Sequence, residues 1–336
     1  MGSNQVRIAL DAMGTDKAPA AEVAGAVSAL KDPEADFEIL LVGDSDVLSA
    51  ELALHGDYPE DRLTVVHAPD CVLPGEPPST VLRRKPQSSI AVGIGLHKTG
   101  EADAFISAGS TGAVMAVSLF ILRPLPGVDR PAIGTIVPTA NGPLLLLDAG
   151  ANVDCKPHQL IQFARLGKIY AQDLMDIASP RIGLLNIGEE PKKGDEVAVA
   201  TYQGLAASGL NFVGNVEGRG IVEGACDVLV CDGFVGNVLL KFYESVASFI
   251  VGLLRNSLGE IDSSHNLDEV FRVLDYTETG GAPLLGVNGI AIICHGGSPP
   301  KAIRNAIGVA DRAARTSMVS HFQKEFTMPA REGNTV

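Results

Sequence analysis

Ser110, Thr111 and Gly112 place two hydroxyls and a bare backbone between an apolar run and a helical pattern, in the stretch AFISAGSTGAVMA, Ala104 to Ala116. A strand-to-helix turn of small residues lets backbone N–H groups and hydroxyls face an anion, and the helix N-terminus adds partial positive charge. The same residues also serve as ordinary helix caps, and both readings stand here. The stretch is neither a Walker loop nor GxGxxG. GIGLHKTG, Gly93 to Gly100, lacks the third glycine in place and follows a helical pattern instead of a strand, so no dinucleotide fingerprint is present.

DAGANVDCKP (Asp148 to Pro157) and CDGFVGN (Cys231 to Asn237) each put a carboxylate after an apolar run, followed by glycine and then an amide. Asp148, Asn152, Asp154, Asp232 and Asn237 are candidates to converge on a cleft; as turn and cap residues they also have a structural reading, which Asp11 and Asp16 share. GEEPKKGDE carries Lys192 and Lys193 just beyond LLNI, where a lysine can approach phosphate as a point charge. Arg83, Arg84 and Lys85 in LRRKPQSS form the densest positive run of the chain, either a docking patch or a solvated turn. The histidines show no HxxxH or HxH pair, and the adjacent Cys294 and His295 would point to opposite faces of a strand, so no metal site is expected. No GxSxG elbow is present.

These residues need elements to position them. Short aliphatic runs ending in Gly, Asp, Asn or Ser recur as VRIALDAMGTD, FEILLVGDSD, LTVVHAPD, DAFISAGSTG, PLLLLDAGAN, RIGLLNIGEE, NFVGNVEG, DVLVCDGFVGN and IAIICHGGSPP. They read as buried strands. Leu160, Phe163, Leu166, Tyr170, Leu174 and Ile177 recur at helical spacing, as do Leu239, Phe242, Val246, Phe249 and Leu253. Alternating strands and helices imply an α/β fold with a mostly parallel sheet covered on both faces. LRPLPGVDRPAIG, with three prolines, is expected to cross between two lobes, one of residues 1–125 plus 296–336 and one of 133–295. Lys301 to Phe322 reads as a terminal helix. Because polar residues follow the strands, the chemistry is expected along one rim of the sheet.

Composition narrows the class. The chain has 336 residues, 46% hydrophobic, with 37 glycines, no tryptophan and 5% aromatics, a balance suited to buried parallel sheet. A net charge of −14 argues against nucleic acid as partner. Five cysteines without a CxxC pair fit reduced thiols in the cytoplasm. The opening MGSNQVRIAL gives no expectation of a signal peptide, and Val6 stands where a myristoylation motif needs Ser or Thr. Apolar runs such as AVMAVSLFIL fall short of the roughly 20 residues of a membrane span, so a soluble protein is expected.

Taken together, IALDAMGTD, LVGD, LRRKPQSSI, ADAFISAGSTGAVM, GVDRPAI, LLLLDAGANVDCKP, SPRIGLLNIGEEPKKGDE, NFVGNVEGR, DVLVCDGFVGNVLLK and GGAPLLGVNG resemble, in order, the blocks of the PlsX-type phosphate acyltransferases. The resemblance runs from about Val6 to Phe322. It implies a two-lobed α/β/α sandwich like that of isopropylmalate dehydrogenases and phosphotransacetylases, usually homodimeric, with the active cleft between the lobes. It also implies that acyl-[acyl carrier protein] and inorganic phosphate give acyl phosphate and free carrier in phospholipid and fatty acid metabolism. A glycerol-phosphate acyltransferase would act downstream.

No cofactor is implied, since phosphate is itself the nucleophile and a thiolate leaves. In this reading Ser110, Thr111 and Gly112 cradle phosphate and Lys193 neutralises it. Asn237 and Asn152 orient the thioester or its oxyanion, Asp148 and Asp232 hold those donors, and Arg83, Arg84 and Lys85 meet the acidic carrier. The alternatives are a phosphotransacetylase-like enzyme using acyl-CoA and a non-catalytic carrier-binding scaffold.

Two departures from the family pattern stand out. Thr15 replaces the second glycine of DAMGGD, which would be strained if that position required positive φ. Residues 255–275 carry two arginines against five acids where relatives are basic, so membrane contact is expected to be peripheral at most.

Overall fold

Each of the nine aliphatic runs forms a strand, and two further strands complete the sheet. The computed structural model describes residues 5–56, 58–73, 75–258 and 280–327. The acidic 255–275 segment, from residue 259 on, lies outside them. The chain opens with β1 (Val6–Asp11), α1 (Ala20–Leu30), β2 (Phe37–Gly43), α2 (Ser45–Leu52), β3 (Leu63–His67), α3 (Val81–Arg84), α4 (Ser89–Thr99), β4 (Ala104–Ser107) and α5 (Thr111–Ile121). It continues through β5 (Ala132–Thr139), β6 (Gly142–Leu147), α6 (Pro157–Leu174), β7 (Ile182–Leu185), α7 (Glu196–Ala206), β8 (Phe212–Val216), α8 (Gly218–Glu223), β9 (Val228–Val230) and α9 (Gly233–Leu258). β10 (Ala282–Leu285), β11 (Ala291–Ile293), α10 (Pro300–Arg315) and α11 (Met318–Thr327) follow. The expected terminal helix is thus two helices, broken where Ser317 takes a left-handed φ of 57°.

The strands form one sheet in the order β3-β2-β1-β4-β11-β10-β5-β6-β9-β7-β8. Helices cover both faces. Ile8 and Leu10 of β1 and Leu145 and Leu147 of β6 enter one core, with Phe163 of α6 and Ile303 of α10. Ala9, Leu144 and Leu146 point the other way, toward Ile94 of α4 and Val114 of α5. This period of two, apolar on both faces, is why β6 reads as an unbroken run of leucines. Truncating one of these fully buried leucines to alanine costs about 2–5 kcal/mol.

Strand direction corrects the expectation of a single rim. β3, β2, β1, β4 and β11 are mutually parallel. β10 is antiparallel to β11 and to β5, and β5 is antiparallel to β6. β6, β9, β7 and β8 are again mutually parallel. Three reversals leave that second set running opposite to the first. The loop after β4, with Ser110 to Gly112, and the loops after β6, β9 and β7, with Asp148, Asn152, Asp232, Asn237 and Lys193, leave opposite edges of the sheet. The ends of the nine aliphatic runs do not mark the reversal, because they all finish in the same kinds of turn residue.

α9 also departs from expectation. Its stretch Gly233–Leu254 is long and apolar enough, by length and composition, to cross a membrane, and little of it is buried. Lys241 and Glu244 interrupt the apolar run and hide its length in the sequence. Phe234, Val238, Phe242, Phe249 and Leu253 lie exposed along one stripe of this helix.

Candidate active site

The tightest polar cluster forms where β6 and β9 end. Asp148 is fully buried. Its Oδ1 accepts N–H bonds from Ile133 (3.0 Å), Gly150 (3.2 Å) and Ala151 (3.0 Å), and its Oδ2 accepts from Asn152 N at 2.7 Å and Asn152 Nδ2 at 2.9 Å. Burial pushes the carboxyl above the ordinary aspartate range, opposed by these N–H bonds. Both oxygens face donors, so the loop is built around a carboxylate.

Asn152 spends both amide hydrogens inside the protein, the second on Pro131 O at 2.8 Å. It has none left for a substrate. Its carbonyl accepts from Gly233 N at 2.7 Å, which fastens the start of α9 to the Asp148 loop. The next turn of α9 comes closer still: a Cβ on Gly236 would lie 1.9 Å from Asp148 O, so only glycine fits. Asp232 caps α9, accepting from Val235 N at 2.8 Å. Asn237 is half-buried against Gly150, with its Cγ 3.3 Å from where a Cβ would stand. Its side-chain amide makes no hydrogen bond among the described residues.

β7 lies beside β9, so the loop after it is the next along this edge. Lys193 is exposed there, with only a loose 3.9 Å contact to Glu190. The nearby thiols are poor nucleophiles. Burial, and next the charge of Asp148, pushes Cys155 up to about 11 and Cys231 well above the usual thiol range.

At the other edge, Ser110 is the N-cap of α5, its Oγ accepting from Ala113 N at 3.4 Å. Thr111 is exposed, and a Cβ on Gly112 would stand 2.7 Å from Pro78 Cγ, so the Pro78 turn rests on this helix start. Beneath it Ser107 Oγ donates to Asp11 Oδ2 at 2.6 Å and accepts from Gly109 N at 3.0 Å.

Thr15 is not strained, since its φ is not positive. Its Oγ1 donates to Glu22 Oε2 at 2.9 Å, while Glu22 Oε1 accepts from Gly14 N at 3.1 Å and Thr15 N at 2.7 Å. Glu22 is fully buried, and burial holds its carboxyl up at about 7. It escaped the sequence reading; its signal was a lone acid in the otherwise apolar AAEVAGAV.

Of the basic run, Arg83 and Arg84 are exposed, whereas Lys85 turns inward to Glu76 Oε1 (2.6 Å) and Cys71 O (2.8 Å). A surface hollow of about 680 Å³, bordered by Tyr170, Arg304 and Arg312, is lined by none of the candidate residues.

The sequence comparisons with known proteins agree on one family. The model of a family described as fatty acid synthesis protein matches residues 6–321. The phosphate acyltransferase of Desulforamulus reducens is 50% identical over 321 residues, covering 94% of this chain and 95% of that protein. That of Heliobacterium modesticaldum is 47% identical over 327 residues, covering 95% and 97%. Among solved structures, a phosphotransacetylase from Streptococcus pyogenes shares the fold with a TM-score of 0.64 at 17% identity, covering 93% of this chain and 95% of its own.

Proposed function

This chain belongs to the fatty acid synthesis protein family and is an acyltransferase with phosphate as acceptor; from that premise we propose that its acyl donor is acyl-[acyl carrier protein] and that the acyl phosphate formed feeds phospholipid synthesis. The observation that carries the site is the pairing of an uncommitted Asn237 amide with an exposed Lys193 on neighbouring strand ends, beside a loop that Asp148 holds rigid.

Phosphate oxygen attacks the thioester carbonyl carbon, the C–S bond breaks, and the carrier leaves as thiolate and takes a proton from solvent. Lys193 offsets the charge of the incoming phosphate, and Asn237 donates to the carbonyl oxygen as it gains charge. Asp148, Asp232 and Asn152 keep that amide in place. Ser110, Thr111 and Gly112 offer a second set of donors from the other half of the sheet. Sheets twist by about 20–25° per strand on average, so five steps, as from β4 to β9, would accumulate about 100–125°. Such a rotation supports a cleft between two lobes, 1–125 plus 296–336 and 133–295.

Arg83 and Arg84 give the acidic carrier a cationic landing point, and a second copy of the chain covers the exposed stripe of α9. We place the protein in the cytoplasm, with membrane contact at most peripheral. The test is acyl phosphate formation from carrier-bound and CoA-bound acyl groups at varied phosphate. Preference for the carrier thioester is expected; preference for acyl-CoA would make the chain phosphotransacetylase-like, and no acyl phosphate from either would remove the reading.

A further inference from the structure

Lys193 closes a four-residue turn that starts at Glu190, with Lys193 N donating to Glu190 O at 3.0 Å. Two asparagine side chains hold this turn at its two ends. Asn215 Nδ2, from β8, donates to Glu190 O at 2.8 Å. Asn186 Nδ2, just past β7, donates to Lys193 O at 3.0 Å. Asn186 is itself fixed, since its N–H donates to Val216 O at 3.0 Å and its Oδ1 accepts from Ile187 N at 2.8 Å. Pro191, second in the turn, has its φ locked by its ring. Beyond Lys193 the chain is caught again, as Asp195 caps α7 through Ala198 N at 2.8 Å.

We propose that Asn215 and Asn186 are positioning residues that hold the Lys193 turn so that its ammonium meets phosphate, an inference that rests on the reading of Lys193 given above. Asn215 is buried, and its Oδ1 has no partner among the described residues. A buried amide with half its capacity unmet disfavours the folded state, so an apolar residue would suit the end of β8 better. What the amide supplies is the bond to Glu190. That carbonyl keeps Lys193 N as a donor when Asn215 is removed, so truncation leaves no orphan there.

The experiment is steady-state kinetics with phosphate and acyl donor varied in turn, on Asn215→Leu, Asn186→Ala, Lys193→Ala and each asparagine variant combined with Lys193→Ala, with melting curves alongside. Asn215→Leu is expected to raise the phosphate KM on the order of tenfold. The acyl-donor KM should stay unchanged and the melting temperature should not fall. Asn186→Ala should raise the same KM. Neither should add to the effect of Lys193→Ala, because residues that act through one group are not additive. Additive losses in the combined variants, or an equal rise in both KM values, would overturn the clamp while leaving Lys193 in its role. An unchanged phosphate dependence in Lys193→Ala would instead remove the lysine reading itself.

Discussion

The Asn152 side-chain amide donates to Asp148 Oδ2 at 2.9 Å while the Asn152 backbone N–H donates to the same oxygen at 2.7 Å. One asparagine thus grips one carboxylate twice and ties its remaining hydrogen to Pro131 O. Asp148→Ala would strand the N–H groups of Ile133, Gly150, Ala151 and Asn152 in a buried loop. A loss of about 3 kcal/mol or more is expected in denaturant titration, with activity abolished. Asn152→Ala should lower stability by about 1–2 kcal/mol and reduce kcat without selectively raising the phosphate KM.

Gly236→Ala tests the contact between α9 and the Asp148 loop. An added methyl carbon 1.9 Å from Asp148 O cannot be absorbed by side-chain movement. The helix start must shift, carrying Asn237 with it. Activity should fall by at least the order of a hundredfold, and the melting temperature should drop; an active, equally stable variant would refute the close packing.

Glu22 gives the protein a pH-dependent stability. A carboxyl whose value rises from 4.5 to about 7 on folding binds its proton more tightly in the native state. Stability from this group is therefore fully present below 4.5 and is lost as pH rises through about 7, a change of roughly 3 kcal/mol. Asp11, which burial also raises and whose charge faces Glu22, acts with the same sign. Glu22→Gln keeps an acceptor for the Gly14 and Thr15 N–H groups. Urea melts across this range should show a slope in the parent protein and a flatter profile in the variant.

Arg83→Glu and Arg84→Glu should each raise the KM for an acidic carrier severalfold, and added salt should shrink the difference. Lys85→Ala should behave differently. Its ammonium is already engaged with Glu76 and Cys71 O, so stability should fall by about 1 kcal/mol with little effect on carrier affinity.

Phe242→Glu and Phe249→Glu place charge on a stripe where those rings are 67% and 64% exposed. Sedimentation should report a shift from dimer to monomer. A parent chain that sediments as a monomer would leave the stripe without the partner proposed for it.

Much of the architecture was readable because buried strands here are short aliphatic runs with abrupt polar ends. β5 and β10 escaped that pattern. β5 contains Gly134 and Pro138 and feeds a hairpin instead of a helix, and β10 includes Pro283 and runs antiparallel to both neighbours. Those two strands carry the reversal of the sheet, so missing them produced the expectation of a single rim. Within the candidate site, residue types bring Asp148, Asp232 and Asn237 forward, but whether an amide faces inward or outward is decided by packing. Asn152 and Asn237 look alike in sequence, yet the first is consumed by Pro131 and Asp148. Asn186 and Asn215 had a visible signal, polar amides ending otherwise apolar runs in LLNI and NFVGNV, and no local rule linked them to a lysine turn.

The pairing of β11 with β4 has a consequence for synthesis. During translation, β1 to β4 leave the ribosome long before residues 291–293, which supply the neighbour that β4 hydrogen-bonds in the finished sheet. Until then the nascent chain carries an open, strongly apolar edge of the kind that recruits other strands. A ribosome-stalled fragment ending before β10 should therefore depend on chaperone capture to stay soluble, and release of the last fifty or so residues should end that dependence.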